Sequence, residues 1–114
     1  MPVFNTMFPI LPGKEDAARA WLSALSAERK DGFDAMQRRS EIERETLTLQ
    51  PTPMGSFLLV WFEGNVEQAF ATVATDQDEF TVWHRAQLLD VTGIDLNQPS
   101  DGPPPELLLD WRAS

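Results

Sequence analysis

The chain has no cysteine among its 114 residues. Disulfide bridges, thiolate zinc sites and a cysteine nucleophile are therefore excluded. Basic side chains are also scarce, because 9 lysines and arginines stand against 18 acids and give a net charge of −9. A surface of that charge repels the phosphates that supply most nucleic-acid affinity. Nucleic acid and anionic membrane are accordingly excluded as partners.

Long apolar runs are missing as well. No stretch approaches the roughly 18 apolar residues that cross a bilayer. The beginning, Met-Pro-Val-Phe-Asn, lacks the basic region and apolar stretch of a signal peptide. We expect a soluble, cytoplasmic protein. Its length is that of one domain, and we assign residues 1–114 to a single unit.

Several motifs of known chemistry are absent too. The chain has neither a phosphate-cradling glycine loop nor a Gly-x-Ser-x-Gly nucleophile turn. Its single histidine, His84, does not make a usual zinc site alone. Asp76, Asp78 and Glu79 lack the calcium-loop pattern and are typical of a helix N-terminus. The sequence therefore predicts no metal site and no cofactor.

Hydrophobic periodicity predicts alternating strands and helices up to Gly93, which is placed to end a helix. Gly32 is expected to separate two helical pieces. The predicted strands cover 3–10, 43–50 and 56–63, and the predicted helices cover 14–29, 33–42, 66–76 and 79–92. In the second strand Glu45, Leu47 and Leu49 share the largely apolar face. The third strand is apolar on both faces, so it needs a covering layer on each side.

The remaining chain predicts a proline-rich loop over 97–105 and a last strand over 106–111. Leu107, Leu109 and Trp111 would expose much apolar surface if that segment were not part of the sheet. The order is then βαββαβ. This order is the ferredoxin-like α+β arrangement, with split helices on one face of an antiparallel sheet. The uncovered face of the third strand predicts a homodimer formed through the sheet.

The segments Leu47–Trp61, Gly93–Pro99 and Gly102–Glu106, together with Asp110-Trp111, resemble a family of small uncharacterised bacterial proteins over almost the whole chain. That resemblance implies no particular activity.

The turn Pro12-Gly13-Lys14-Glu15 and the motifs Val60-Trp61 and Gln68-Ala69-Phe70 are similar to the dimeric α/β-barrel superfamily. Its members include antibiotic-biosynthesis monooxygenases, haem-degrading monooxygenases, muconolactone isomerases and sugar mutarotases. The resemblance implies a dimeric α/β barrel and does not fix the chemistry.

The monooxygenases of this superfamily carry an asparagine on strand one, a tryptophan on the helix after strand three and a histidine further along. Asn5 and His84 fall close to the first and last of these positions, whereas Val73 stands in place of the tryptophan. The departure makes haem degradation a poor fit.

Candidate site residues follow from these positions. An unperturbed histidine is the side chain expected to titrate nearest neutral pH, so His84 is a candidate catalytic residue. Asn5 is the second candidate, because its amide could hold a substrate carbonyl. His84 also lies on an apolar helix stripe, which is typical of a packed histidine. Arg44, Trp61 and Trp83 are the candidate ligand-binding residues, because a guanidinium can clamp a carboxylate and aromatic rings can form a pocket wall. Core packing is the alternative explanation for the tryptophans.

Three functions remain open. The first is a small dimeric domain with a modest apolar pocket and a ligand-binding or accessory role. The second is a cofactor-independent enzyme of monooxygenase or isomerase type that uses His84. The third is a structural or regulatory interaction protein.

Overall fold

The structure is a computed structural model that describes residues 2–98 and 102–113. Within them it contains three strands and four helices. These elements are β1 Val3–Pro9, α1 Glu15–Ala24, α2 Lys30–Arg39, β2 Ile42–Thr52, β3 Gly55–Gly64, α3 Val66–Thr75 and α4 Glu79–Thr92. The predicted mixed α+β class is confirmed. The ferredoxin-like order βαββαβ is not, because the described residues after α4 form no strand.

The sheet is antiparallel with the order β1-β3-β2, so the strand that is apolar on both faces lies in the centre. A tight turn at Pro53 and Met54 joins β2 to β3, and the Thr52 hydroxyl donates to the Gly55 carbonyl across it at 2.7 Å. Trp61 of β3 lies opposite Asn5 on β1 and Thr46 on β2. The register of the two edge strands thus decides which of their side chains share a face with those of β3.

The helices cover one face, which we call the inner face. It carries Leu58, Val60 and Phe62 of β3, and Leu58 and Phe62 are 1% and 5% exposed. Apolar side chains of the sheet and helices form two adjoining cores there. The first core consists of Ile10, Ala18, Trp21, Leu58, Leu88 and Val91, and the second consists of Leu25, Met36 and Phe80. The opposite, outer face carries Phe57, Leu59 and Trp61, which are only half-buried.

A β-bulge at the start of β2 decides which of its side chains point inward. Ile42 pairs with Gly64 and Arg44 pairs with Glu63, so one residue, Glu43, is left over between them. The extra residue resets the alternation. Ile42 and Glu45 both contact the interior as a result.

Gly32 does not separate two helices, contrary to the prediction from the sequence. It lies inside α2, and the chain breaks earlier, over residues 25–29. A Cβ at this position would lie 2.6 Å from Cδ1 of Phe80. The glycine therefore permits close packing of α2 against α4. The predicted end of α4 is confirmed, since Gly93 adopts a left-handed conformation with φ 77°.

The predicted last strand, Glu106–Trp111, is wrong. Residues 103–113 have no regular secondary structure, and Leu107, Leu108, Leu109 and Trp111 are 54–83% exposed. Three consecutive prolines precede the segment, and they supply no N–H groups for a sheet ladder. Pro103 and Pro105 lie beside the outer face, and Arg112 makes a 2.9 Å ion pair with Glu63 of β3. Pro99 and Asp101, in the predicted loop, lie outside the described residues.

Among the helices of residues 2–98 and 102–113, none has both the length and the apolar character needed to cross a membrane.

Candidate functional site

A cavity of about 90 Å³ lies between the inner face of the sheet and the helices. Its walls are mainly apolar. The strands supply Phe4, Thr6, Phe8, Ile42, Glu45, Leu47, Leu58, Val60 and Phe62, and the helices with the loop after α4 supply Trp21, Met36, Gln37, Ala69, Phe70, Val73, His84, Arg85, Leu88 and Leu96. Phe70 is the most exposed of these residues, at 41%. The volume suits one small organic molecule, since a water molecule takes about 30 Å³ of the liquid.

Glu45 is the acidic group of the cavity. The bulge in β2 directs it to the inner face, where Gln37 Nε2 of α2 donates to its Oε1 at 2.7 Å. Burial raises the pKa of Glu45 from 4.5 to about 7, and the hydrogen bond from Gln37 opposes part of that change. A carboxyl group in this setting is present in both protonation states near neutral pH.

Gln37 leaves one acceptor without a partner. Its Oε1 atom is buried and has no hydrogen bond from any of the described residues. A buried amide oxygen in that state is costly, and most such atoms in folded proteins are bonded to protein or water. A hydrogen-bond donor placed in the cavity beside Glu45 would therefore stabilise this oxygen.

His84 of α4 lines the same cavity in a setting of aromatic rings. Trp21 Nε1 donates to His84 Nδ1 at 3.1 Å, so the neutral imidazole carries its proton on Nε2. The Phe80 ring stacks on it with centroids 5.6 Å apart. Burial lowers the pKa of His84 from 6.5 to about 4. At neutral pH this side chain is an uncharged donor through Nε2.

Arg85 is the cation of the cavity lining, and its role is structural. Its Nη1 donates to the carbonyls of Val73 at 3.0 Å and Asp76 at 2.7 Å, at the C-terminal end of α3. These bonds satisfy helix-end carbonyls. Among residues 2–98 and 102–113, no group of three or more acidic or histidine side chains is placed to hold a metal ion.

The remaining predicted residues do not join His84. Asn5, Arg44 and Trp61 lie together on the outer face, with the Arg44 guanidinium 5.5 Å from the Trp61 ring centroid. The sheet separates them from the cavity. Asn5 and His84 therefore do not form one site in this fold.

Trp83 lies in the helix layer and not opposite Trp61. The Arg29 guanidinium lies 4.3 Å from its ring centroid, and Phe80 packs against it at 5.5 Å. Arg29 is held in turn by two hydrogen bonds to Glu79, at 2.9 and 3.0 Å. The two tryptophans expected to form one pocket wall are thus on opposite sides of the sheet.

Sequence reasoning missed Glu45 and Gln37 as site residues. Glu45 carried a signal, because it shared an alternating face with Leu47 and Leu49, where a carboxylate is out of place. Gln37 carried none, since an uncharged residue in a polar helix segment is usual on a surface.

No protein-family model matches the chain, and neither a curated protein nor a solved structure matches it significantly.

Proposed function

We propose that the protein binds a small, largely apolar molecule in the cavity between sheet and helices, with a hydrogen-bond donor of that molecule directed to Gln37. The observation that carries the proposal is the buried, unpartnered Gln37 Oε1 beside Glu45 in a mainly apolar cavity. A hydroxyl group on a short hydrocarbon skeleton meets both requirements. The ligand then replaces the missing hydrogen bond and buries its apolar part.

The proposal is tested with 2-butanol, an alcohol of suitable size and chemistry, by following backbone amide NMR signals during a titration. We expect saturable changes at residues that line the cavity. Ala69→Leu fills the cavity from α3, and Ala71→Leu makes the same change at an exposed position of the same helix. Binding should weaken about tenfold or more, or at least 1.4 kcal/mol, in the first variant and stay unchanged in the second.

Native folding of both variants is checked first by thermal unfolding, because the larger side chain introduces some strain. Equal affinity of the wild type and Ala69→Leu, or changes that never saturate, would contradict the proposal.

We also propose that the domain forms a homodimer through the outer face. Support comes from the half-buried row Phe57, Leu59 and Trp61 and from Met7, which is 59% exposed. Apolar surface of this kind on a folded domain is typical of a contact surface. The sequence resemblance to the dimeric α/β barrels stays a prediction, and it agrees with this association.

A further inference from the structure

The cavity presents three polar functions of different kinds. They are the Glu45 carboxyl from β2, the free acceptor of Gln37 from α2 and the Nε2–H donor of His84 from α4. Among the hydrogen bonds of residues 2–98 and 102–113, the one made by the His84 ring is at Nδ1, from Trp21, and Nε2–H is not used. Besides the Thr6 hydroxyl, the cavity thus offers one acceptor, one donor and one group that can take up or release a proton.

A small α-hydroxy ketone complements these three functions. Its hydroxyl group donates to Gln37 Oε1, and its carbonyl oxygen accepts from His84 Nε2–H. The carbon that bears the hydroxyl group lies next to the carbonyl, so its C–H bond is acidic. The hydrocarbon remainder contacts the apolar walls. A simple alcohol satisfies Gln37 alone, and a simple ketone satisfies His84 alone.

We propose, on the premise that the cavity binds its ligand as described above, that the domain interconverts α-hydroxy ketones with Glu45 as the catalytic base. The Glu45 carboxylate removes the proton from the carbon that bears the hydroxyl group. The C–H electron pair becomes the new C=C bond, and the carbonyl π electrons move to oxygen. The resulting enediolate oxygen accepts the hydrogen bond of His84 Nε2.

The second half of the reaction returns the proton. The Glu45 carboxyl group delivers it to the former carbonyl carbon, and the hydroxyl proton passes between the two oxygens. The product is the isomeric hydroxy ketone, with no electrons gained or lost. The reaction therefore requires no oxidant or reductant.

The surroundings favour this chemistry. Near neutral pH an appreciable fraction of Glu45 is ionised, because burial raises its pKa to about 7. His84 is a neutral donor there, because burial lowers its pKa to about 4. A neutral imidazole can stabilise an enediolate oxygen without first losing a proton.

The experiment uses acetoin, which is 2-butanol with a neighbouring carbonyl group. Exchange of its CH(OH) proton for deuterium is followed by NMR in deuterated buffer at neutral pD. We expect the wild type to accelerate this exchange, and Glu45→Gln to reduce the acceleration about a hundredfold or more. Glu43→Gln removes an exposed carboxylate from the same strand and should leave the rate unchanged.

Binding of acetoin and of 2-butanol is measured on the same samples by amide NMR. Glu45→Gln should still bind both, because its amide oxygen keeps an acceptor for Gln37 Nε2. If 2-butanol binds and the exchange of acetoin does not exceed that of buffer, the isomerase proposal is wrong and the binding proposal stands. If neither compound binds, both proposals are wrong. Equal exchange by the wild type and Glu45→Gln would also overturn the role of Glu45.

Discussion

At the scale of single residues, Glu45 makes stability depend on pH in an unusual direction. Its carboxyl pKa is 4.5 in the unfolded chain and about 7 in the fold, because burial disfavours the charged form. Below pH 4.5 both states are protonated and the group has no effect. Folding stability is then lost as the pH rises from about 4.5 through about 7.

We therefore expect Glu45→Gln to stabilise the protein more at pH 8 than at pH 5. The difference between the two effects should be about 2 to 3 kcal/mol, because each unit of pKa change corresponds to about 1.4 kcal/mol. Urea unfolding at both pH values measures it, with Glu43→Gln as the matched control. An effect of equal size at pH 5 and pH 8 would contradict the buried state of Glu45.

His84 acts on the opposite side of the pH range. Its pKa is lowered to about 4, so the fold loses stability as the pH falls from about 6.5 to about 4. The comparison of Glu45→Gln with the wild type leaves this contribution unchanged, because His84 is present in both chains. The contributions of Glu45 and His84 to the pH dependence of stability can thus be measured separately.

The candidate site could be predicted from the sequence only in part. His84 was recognised because it is the single histidine and lies on an apolar stripe. Alternation placed Glu45 with Leu47 and Leu49 on one face, but the bulge at Glu43 depends on pairing with β3 and has no local signature. Asn5 was misjudged as a neighbour of His84 because alternation does not say which face the helices will cover.

At the scale of elements, Gly93 was a reliable local signal, since it ends α4 in a left-handed conformation that suits glycine. Asn65, which was not predicted as a helix cap, begins α3 by accepting a hydrogen bond from Gln68 N at 3.1 Å. Gly32 failed as a signal because its role is set by Phe80, a residue distant in sequence. Contacts of this kind are decided by tertiary packing and not by propensity.

The C-terminal segment gives the element-scale prediction. A chain that ends at Asp101 should keep its secondary structure and unfold cooperatively. Residues 103–113 make no sheet ladder, and the exposed Arg112–Glu63 pair is screened by solvent and contributes little to stability. The melting temperature should fall by no more than about 8 °C.

Circular dichroism during heating measures the melting temperature of both chains. An unfolded or aggregated product would show instead that the segment is integral to the fold, as the alternation of Leu107, Leu109 and Trp111 first suggested.

At the scale of the whole molecule, the acidic net charge acts against self-association. Two copies with a charge of −9 each repel one another unless their contact is poor in charge. In the outer-facing rows of the three strands the charged side chains are Arg44 and Glu63, which have opposite signs. A second copy can therefore pack on the outer face without bringing an excess of like charges together.

The last prediction is that Trp61→Glu converts a homodimer into a monomer. Trp61 lies in the central row of the outer face, and burying a large apolar side chain contributes roughly 1.5 to 3 kcal/mol. A two-fold contact would bury it twice, so one substitution introduces two charges into the interface. Val82→Glu is the matched control, because Val82 is 42% exposed on the helix layer, away from this face.

Sedimentation equilibrium at low micromolar concentration measures the mass of each chain, and circular dichroism checks that the Trp61→Glu chain remains folded. We expect the wild type and Val82→Glu to sediment at twice 12.8 kDa and Trp61→Glu at 12.8 kDa. A wild-type mass of 12.8 kDa would defeat the prediction. In that case Pro103 and Pro105 of the same chain, which already lie beside the half-buried outer row, would form part of its cover.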